Sequence, residues 1–407
     1  MKVCVSFATG CPRAEFDAFS VLEYLKANDC VITEEFIEAD LILISGCAVS
    51  KRNEDRTKSL WSIALKKKKP NAKIIYFGCF PGIISDSPLY DCNGITIKKR
   101  QFSILDDIIE AKVRYNELNN IGLSFEDNIV RNSFSFYEKL RARFESGHDL
   151  FWNVVRLIIE INKSRRSEHF SCIEERSIFN LRISIGCNGS CTYCAIRAAV
   201  GPLNSNDLNN ISGTLRRAVS SGHSKIRLIA DDVGSYGQDC GKNIVDLFNE
   251  IYTIPGNFQI LVDDFNPRWL IAYFSELLEI ISQNPTRLAY ISFPIQSGSN
   301  KILKLMQRGY DAHEAKQCLC ILRGRFPKLK LNTHILIGFP GESIDDFNDT
   351  LNFISSDIFD EISIYKYSDR PRIVSSCFHD KVNKYDKTKR SIKLIKTVGL
   401  RRVAFIC

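Results

Sequence analysis

The chain has 407 residues, 44% hydrophobic and 25% charged, with a formal net charge of +8. That balance fits two or three folded domains and excludes a collagenous, low-complexity or disordered chain. No apolar stretch approaches the roughly eighteen residues of a membrane span, and the opening MKVCVSFATGC lacks a secretory leader, so no membrane partner is expected and the location is read as cytoplasmic.

Residues 3–7, 41–45, 73–77 and 95–97 are short apolar runs, separated by amphipathic stretches at 17–27 and 55–67. This rhythm predicts an open α/β sheet. Residues 115–178 break it: Asn119 and Asn120 mark a loop, 136–144 and 151–161 carry apolar residues at helical spacing, and 163–166 are basic. The plainer reading is a helical linker packed on one domain. From 181 a second series begins, with strand-like runs at 181–185, 225–230, 259–263, 288–294, 329–337 and 361–367. Helical patterns at 207–221, 244–252, 268–281, 311–325 and 344–355 alternate with them, which predicts a partial (βα)6 barrel. A basic helical stretch, 384–402, closes the chain. The fold class is therefore α/β, with four expected regions: 1–114, a sheet domain; 115–178, the linker; 179–376, the barrel; and 377–407, a basic helical tail.

Fifteen cysteines are too many for ordinary packing, and an odd number over a long chain is no secreted disulfide framework, so metal ligation is expected. Cys187, Cys191 and Cys194 form a C-x3-C-x2-C triplet directly after the first barrel run. Three thiolates from one loop can hold three irons of a 4Fe-4S cluster and leave the fourth open to a chelating cosubstrate. Upstream, Cys11, Cys47 and Cys79 each follow a glycine and a strand-like run, so all three should emerge at one edge of the sheet. Singly each reads as a small buried hydrophobe; together they suggest a second cluster. The remaining cysteines read as plain thiols.

The triplet after the first of six βα units resembles the radical S-adenosylmethionine (SAM) superfamily over about 180–370. With the upstream set, and with Ala230-Asp231-Asp232, Pro294-Ile295-Gln296-Ser297-Gly298-Ser299, Gly338-Phe339-Pro340-Gly341-Glu342 and Tyr365 to Pro371, the chain resembles the methylthiotransferase family, which modifies a tRNA adenosine or a ribosomal-protein aspartate. The resemblance covers residues 1–100 and 180–375 and implies a flavodoxin-like N-terminal domain. It also implies two 4Fe-4S clusters, SAM, and an electron donor such as flavodoxin or ferredoxin. One SAM would donate a methyl group to sulfur at the auxiliary cluster. A second would be cleaved to a 5′-deoxyadenosyl radical that takes hydrogen from an unactivated carbon. Tyr193 would then lie near the adenine, and Asp231, Gln296, Ser297 and Gly338 near SAM or substrate. Loop packing, helix capping and turn chemistry explain the same residues without a ligand.

The sequence departs from the family at Ala14, where an Asn is usual, at Asp231, where Gln is usual, and at 372–375 after Arg370 and Pro371. The β-rich RNA-binding TRAM domain that follows the barrel in the family is also expected to be absent. These departures favour a peptide, a protein side chain or a metabolite as acceptor of the methylthio group, with tRNA adenosine as the alternative. A non-catalytic iron-sulfur electron-transfer or binding protein is the reading from another class.

Overall fold

The computed structural model describes residues 1–8, 11–84, 95–118, 121–124 and 178–406. The helical segments expected at 136–144 and 151–161 lie outside the described residues. The chain divides into two compact units: Met1–Asn153 with Ala195–Gly201 and Arg370–Ile373, and Val154–Cys194 with Pro202–Asp369 and Val374–Cys407.

In the first unit, β1 (Lys2–Phe7), β2 (Val31–Ile32), β3 (Leu41–Gly46), β4 (Lys73–Gly78) and β5 (Ile95–Lys98) form a parallel sheet in the order β2-β1-β3-β4-β5. That is the flavodoxin-like order, which places ligands outside the carboxyl ends of the strands. β3 is buried along its whole length, as its uninterrupted apolar run requires. Helix Pro12–Ala27 starts earlier than its apolar periodicity suggested, because Pro12 suits a first turn and Cys11 takes the N-cap. Helix Lys51–Lys67 is likewise extended by Ser50, whose hydroxyl accepts from the Asn53 amide. Beneath it Trp61 stacks on Tyr76, centroids 4.1 Å apart, and Tyr76 on Phe80 at 5.4 Å. Each such pair adds about 0.5–1.5 kcal/mol beyond its buried area. A short strand, β6 (Gly122–Ser124), follows.

The second unit holds β7 (Ile178–Arg182), β8 (Ser184–Ile185), β9 (Asn204–Ser205), β10 (Lys225–Ile229), β11 (Gln259–Val262), β12 (Leu288–Gln296), β13 (Lys330–Ile337), β14 (Glu361–Lys366) and β15 (Val403–Ile406). All but β8 and β9 run parallel, in the order β7-β10-β11-β12-β13-β14-β15. Helices Leu208–Ser220, Ile244–Thr253, Ala312–Arg325 and Ile344–Ile354 start at side-chain caps from Asp207, Asn243, Asp311 and Ser343. Alternate strand residues (Leu228, Ile260, Val262, Ile291, Leu331) are buried in the helix-facing core. The partial barrel is as expected, with three differences.

The run at 181–185 is two strands: the chain turns at Ile183, and β8 pairs antiparallel with β9. The helix expected over 268–281 breaks at Tyr273 into Pro267–Ala272 and Phe274–Gln283. The final region is a helix only over Lys384–Val398; Gly399, at φ +78°, ends it, and the chain adds β15 beside β14.

Candidate active site

Gly186, at φ +87°, turns the chain out of β8 into the cysteine loop. Its amide donates to Asp231 Oδ2 at 2.8 Å, so the carboxylate after β10 anchors the base of the loop. Within the loop, the Gly189 amide donates to Cys187 Sγ at 3.1 Å. A Cβ on Gly189 would stand 3.1 Å from that sulfur and 3.7 Å from Cys191 Sγ, so the backbone is wrapped tightly on the thiols. Arg308, 6% exposed, donates from Nη1 to Cys191 Sγ at 3.5 Å and from Nη2 to the Pro294 carbonyl at 2.6 Å. The Cys187 thiol donates to Asp232 Oδ2 at 3.9 Å. Asp232 is itself buried and accepts from Trp269 Nε1 at 2.9 Å and from the Asn266 amide at 3.2 Å. Burial pushes its carboxyl up despite these bonds, and burial, with Asp232 nearby, pushes the Cys187 thiol up to about 12.

In the first unit, Cys11 caps the helix after β1, Cys47 follows β3 and Cys79 follows β4, so the three lie at the carboxyl edge of one sheet. Cys47 is buried, which pushes its thiol up to about 11; Cys11 is close enough to raise it further and Lys99 to lower it. Asn53 Nδ2 donates to Cys47 Sγ at 3.5 Å. Lys99 and Asp17, both buried, form an ion pair at 3.0 Å. Gly78, at φ +97°, turns β4 into Cys79.

Among the described residues, no three His, Cys, Asp or Glu side chains converge closely enough to hold one metal ion. An iron-sulfur cluster spreads its thiolates over several irons, and hydrogen bonds to the sulfurs are a normal part of its environment. The amide and guanidinium donors on Cys187 and Cys191, and the carboxamide on Cys47, fit that demand. Both triplets are therefore chemically suited to clusters.

Comparison with known proteins agrees with this chemistry. The chain matches the radical SAM superfamily over residues 181–354 and the uncharacterized protein family UPF0004 over residues 3–88. It is 30% identical, over 90% of its length and 77% of the relative's, to a protein of Pyrococcus horikoshii named "Probable threonylcarbamoyladenosine tRNA methylthiotransferase". The chain belongs to the radical SAM methylthiotransferase family. A tRNA-2-methylthio-N(6)-dimethylallyladenosine synthase of Clostridium botulinum is 28% identical over 96% of this chain and 80% of its own length. Among solved structures, the radical SAM methyltransferase TsrM from Kitasatospora setae shares the fold, with a TM-score of 0.58 and 12% identity over 92% of this chain and 75% of that one. Members of the family use SAM and a 4Fe-4S cluster.

Several site residues expected from the family's motifs have other occupations. Ser297 is fully buried, its hydroxyl 3.2 Å from that of Thr350 and accepting from the Ser299 amide, so it builds the loop and does not face a ligand. Gly338, at φ +73°, has its open side covered by Lys387, whose Cγ lies 2.5 Å from where a Cβ would be. The close approach there is by the C-terminal helix, not by a cofactor. Arg370 is no mouth charge: it is buried against Glu54 at 2.6 Å. Gln296 keeps its candidacy, for it ends β12 at φ +68°, a strained conformation for a non-glycine residue, with its side chain half-exposed. Tyr193 is half-buried, with its ring edge-on to Phe339 at 6.5 Å.

Arg308, Asp232, Trp269, Asn53 and Lys99 were not legible as members of these sites. Their contacts to the cysteine loops span long sequence separations, and no local pattern carries them.

Proposed function

We propose that the chain is a tRNA methylthiotransferase that places a methylthio group on an N6-modified adenosine. Cys187, Cys191 and Cys194 are assigned to the SAM-cleaving cluster and Cys11, Cys47 and Cys79 to an auxiliary cluster. The observation that carries the reading is the pair of cysteine sets, one at the strand ends of each unit, in a chain whose relatives over nine-tenths of its length are named for tRNA methylthiolation. The peptide, protein or metabolite acceptor favoured by the sequence departures finds no support among those relatives. A tRNA substrate is in keeping with the cytoplasm, and among the described residues no helix is long and apolar enough to cross a membrane.

When bound, the two clusters supply the electron that cleaves SAM and the site that holds the transferable sulfur. The chain's own residues supply orientation and charge. Gly189 and Arg308 direct donors at the sulfurs of Cys187 and Cys191, which favours their anionic form. Trp269 and Asn266 fix Asp232 behind Cys187, and Asn53 does the corresponding work at Cys47. Gln296 offers a strained carboxamide at the end of β12 for SAM, and Tyr193 offers a ring face for adenine. A reduced flavodoxin or ferredoxin is the fitting electron donor.

The test is an anaerobic incubation of reconstituted protein with SAM, dithionite and tRNA, followed by nucleoside mass spectrometry. A 2-methylthioadenosine derivative and 5′-deoxyadenosine are expected, and both vanish in Cys191→Ala. Formation of 5′-deoxyadenosine without any methylthio nucleoside would sink the tRNA assignment.

A further inference from the structure

Side chains alternate between the two faces of a strand, and the register of the second sheet fixes which ones share a face. Asn180 pairs with Arg227, Tyr290 with Lys330, Ser292 with Asn332, and His334 with Ser363. These lie on the face opposite the apolar residues Leu228, Val262, Ile291 and Leu331 that meet the helices. Barrels of βα units usually fill the inner face with bulky branched side chains. Here that face is polar.

It is also incompletely satisfied. The Arg227 side chain is 14% exposed, and its Nε stands 3.3 Å from Asp263 Oδ2, yet that buried N–H makes no hydrogen bond. On the neighbouring strand, fully buried Asn180 donates from Nδ2 to the Ile178 carbonyl at 3.1 Å, while its Oδ1 accepts nothing. An orphaned donor and an orphaned acceptor are thus register partners in one cavity wall, and buried polar groups of this kind ordinarily have a partner. Farther round the wall, Ser292 Oγ lies 3.3 Å from Asn332 Oδ1 and 3.4 Å from His334 Nε2. His334 Nδ1 lies 3.7 Å from Asp264 Oδ1, and Asp264 holds a left-handed backbone at φ +51°.

An apolar group in this cavity would strip water from Arg227, Asn180 and Ser292 without replacing the hydrogen bonds. A group carrying amides, a hydroxyl or a carboxylate would supply them, because the Asp263 ion pair occupies only one edge of a five-donor guanidinium. We propose that this inner face is the subsite for the substituent on N6 of the target adenosine, and that it selects a polar, carboxylate-bearing substituent over an apolar prenyl one. The inference rests on the tRNA reading above. Arg227 and Asn180 are its specificity-determining residues.

The test compares two anticodon stem-loop RNAs that differ only in carrying N6-threonylcarbamoyl or N6-dimethylallyl adenosine. Binding to the full cluster-loaded chain is read by fluorescence anisotropy. Tighter binding of the threonylcarbamoyl RNA is expected, by about tenfold or more, since a site built for hydrogen bonds discriminates strongly against a partner lacking them. Arg227→Met and Asn180→Leu should erase that preference by weakening the threonylcarbamoyl RNA alone, and Arg227→Lys, which keeps the charge and protects the fold, should reduce it. Equal affinities, preference for the dimethylallyl RNA, or variants that leave the ratio unchanged would overturn the subsite while leaving the tRNA reading standing. If neither RNA binds, the tRNA reading falls and the subsite with it.

Discussion

Glu54 and Arg370 stand 316 residues apart in sequence and form a buried ion pair inside the first unit. Burial alone would raise the Glu54 carboxyl, but hydrogen bonds from Lys58, Arg370 and Lys51 outweigh it and hold the group at about 2, against 4.5 for a free glutamate. The folded value is depressed, so the stabilisation is fully present above about pH 4.5 and is lost as the pH falls toward 2. Glu54→Gln leaves Arg370 buried without a counter-charge and should cost about 3 kcal/mol at pH 7. In urea unfolding, the gap between wild type and variant should close below about pH 4.5. Equal midpoints at pH 7 would contradict the pairing.

Gln296 gives the opposite kind of test. Replacing it by glycine relieves a left-handed backbone whose cost is about 1–2 kcal/mol, offset in part by glycine's extra entropy in the unfolded chain. The melting temperature should hold or rise while SAM binding, followed by calorimetry, weakens. Unchanged SAM binding would reduce Gln296 to a turn residue. At this scale the six cysteines were legible because each triplet announces itself through local spacing or a preceding glycine. Arg308, Asp232 and the Glu54 to Arg370 pair were not, since only folding brings their partners near.

Among the elements, the parallel strands were legible almost to the residue, because β3, β4 and β10 to β14 are apolar runs with turn residues on either side. What escaped was shorter than a period. β15 has four residues after a basic helix, and the break at Ile183 interrupts a run that looks continuous in sequence. The same limit hid a helix crossing in the first unit. Phe80–Ile83, which follows Cys79, packs on Ile196–Val200 so closely that a Cβ on Gly82 would stand 2.5 Å from Ala199 Cα. Arg372 Nη1 also donates to the Gly82 carbonyl at 3.2 Å. Gly82→Ala must therefore push one backbone off the other. A loss of about 1–3 kcal/mol in denaturant unfolding is expected, with less iron retained after reconstitution. Wild-type stability in this variant would show that the crossing has more room than these contacts leave.

At the scale of the molecule, the family reading joins two α/β units, each with three cysteines at the carboxyl ends of its strands. The order of strands and the two cysteine sets were legible because parallel βα units fix where loops emerge. The acceptor was not, since the polar inner wall of the second unit is assembled from single residues on successive strands. Substitutions at motif positions such as Asp231 suggested an altered substrate, whereas that carboxylate anchors the cysteine loop through Gly186.

The central claim is that the two triplets hold two separate clusters, and iron and sulfide counting on anaerobically reconstituted protein tests it most directly. About eight irons per chain are expected, falling to about four when Cys11, Cys47 and Cys79 are all replaced by alanine, and again to about four when Cys187, Cys191 and Cys194 are. About four irons in the wild type, unchanged by removing Cys11, Cys47 and Cys79, would contradict the account.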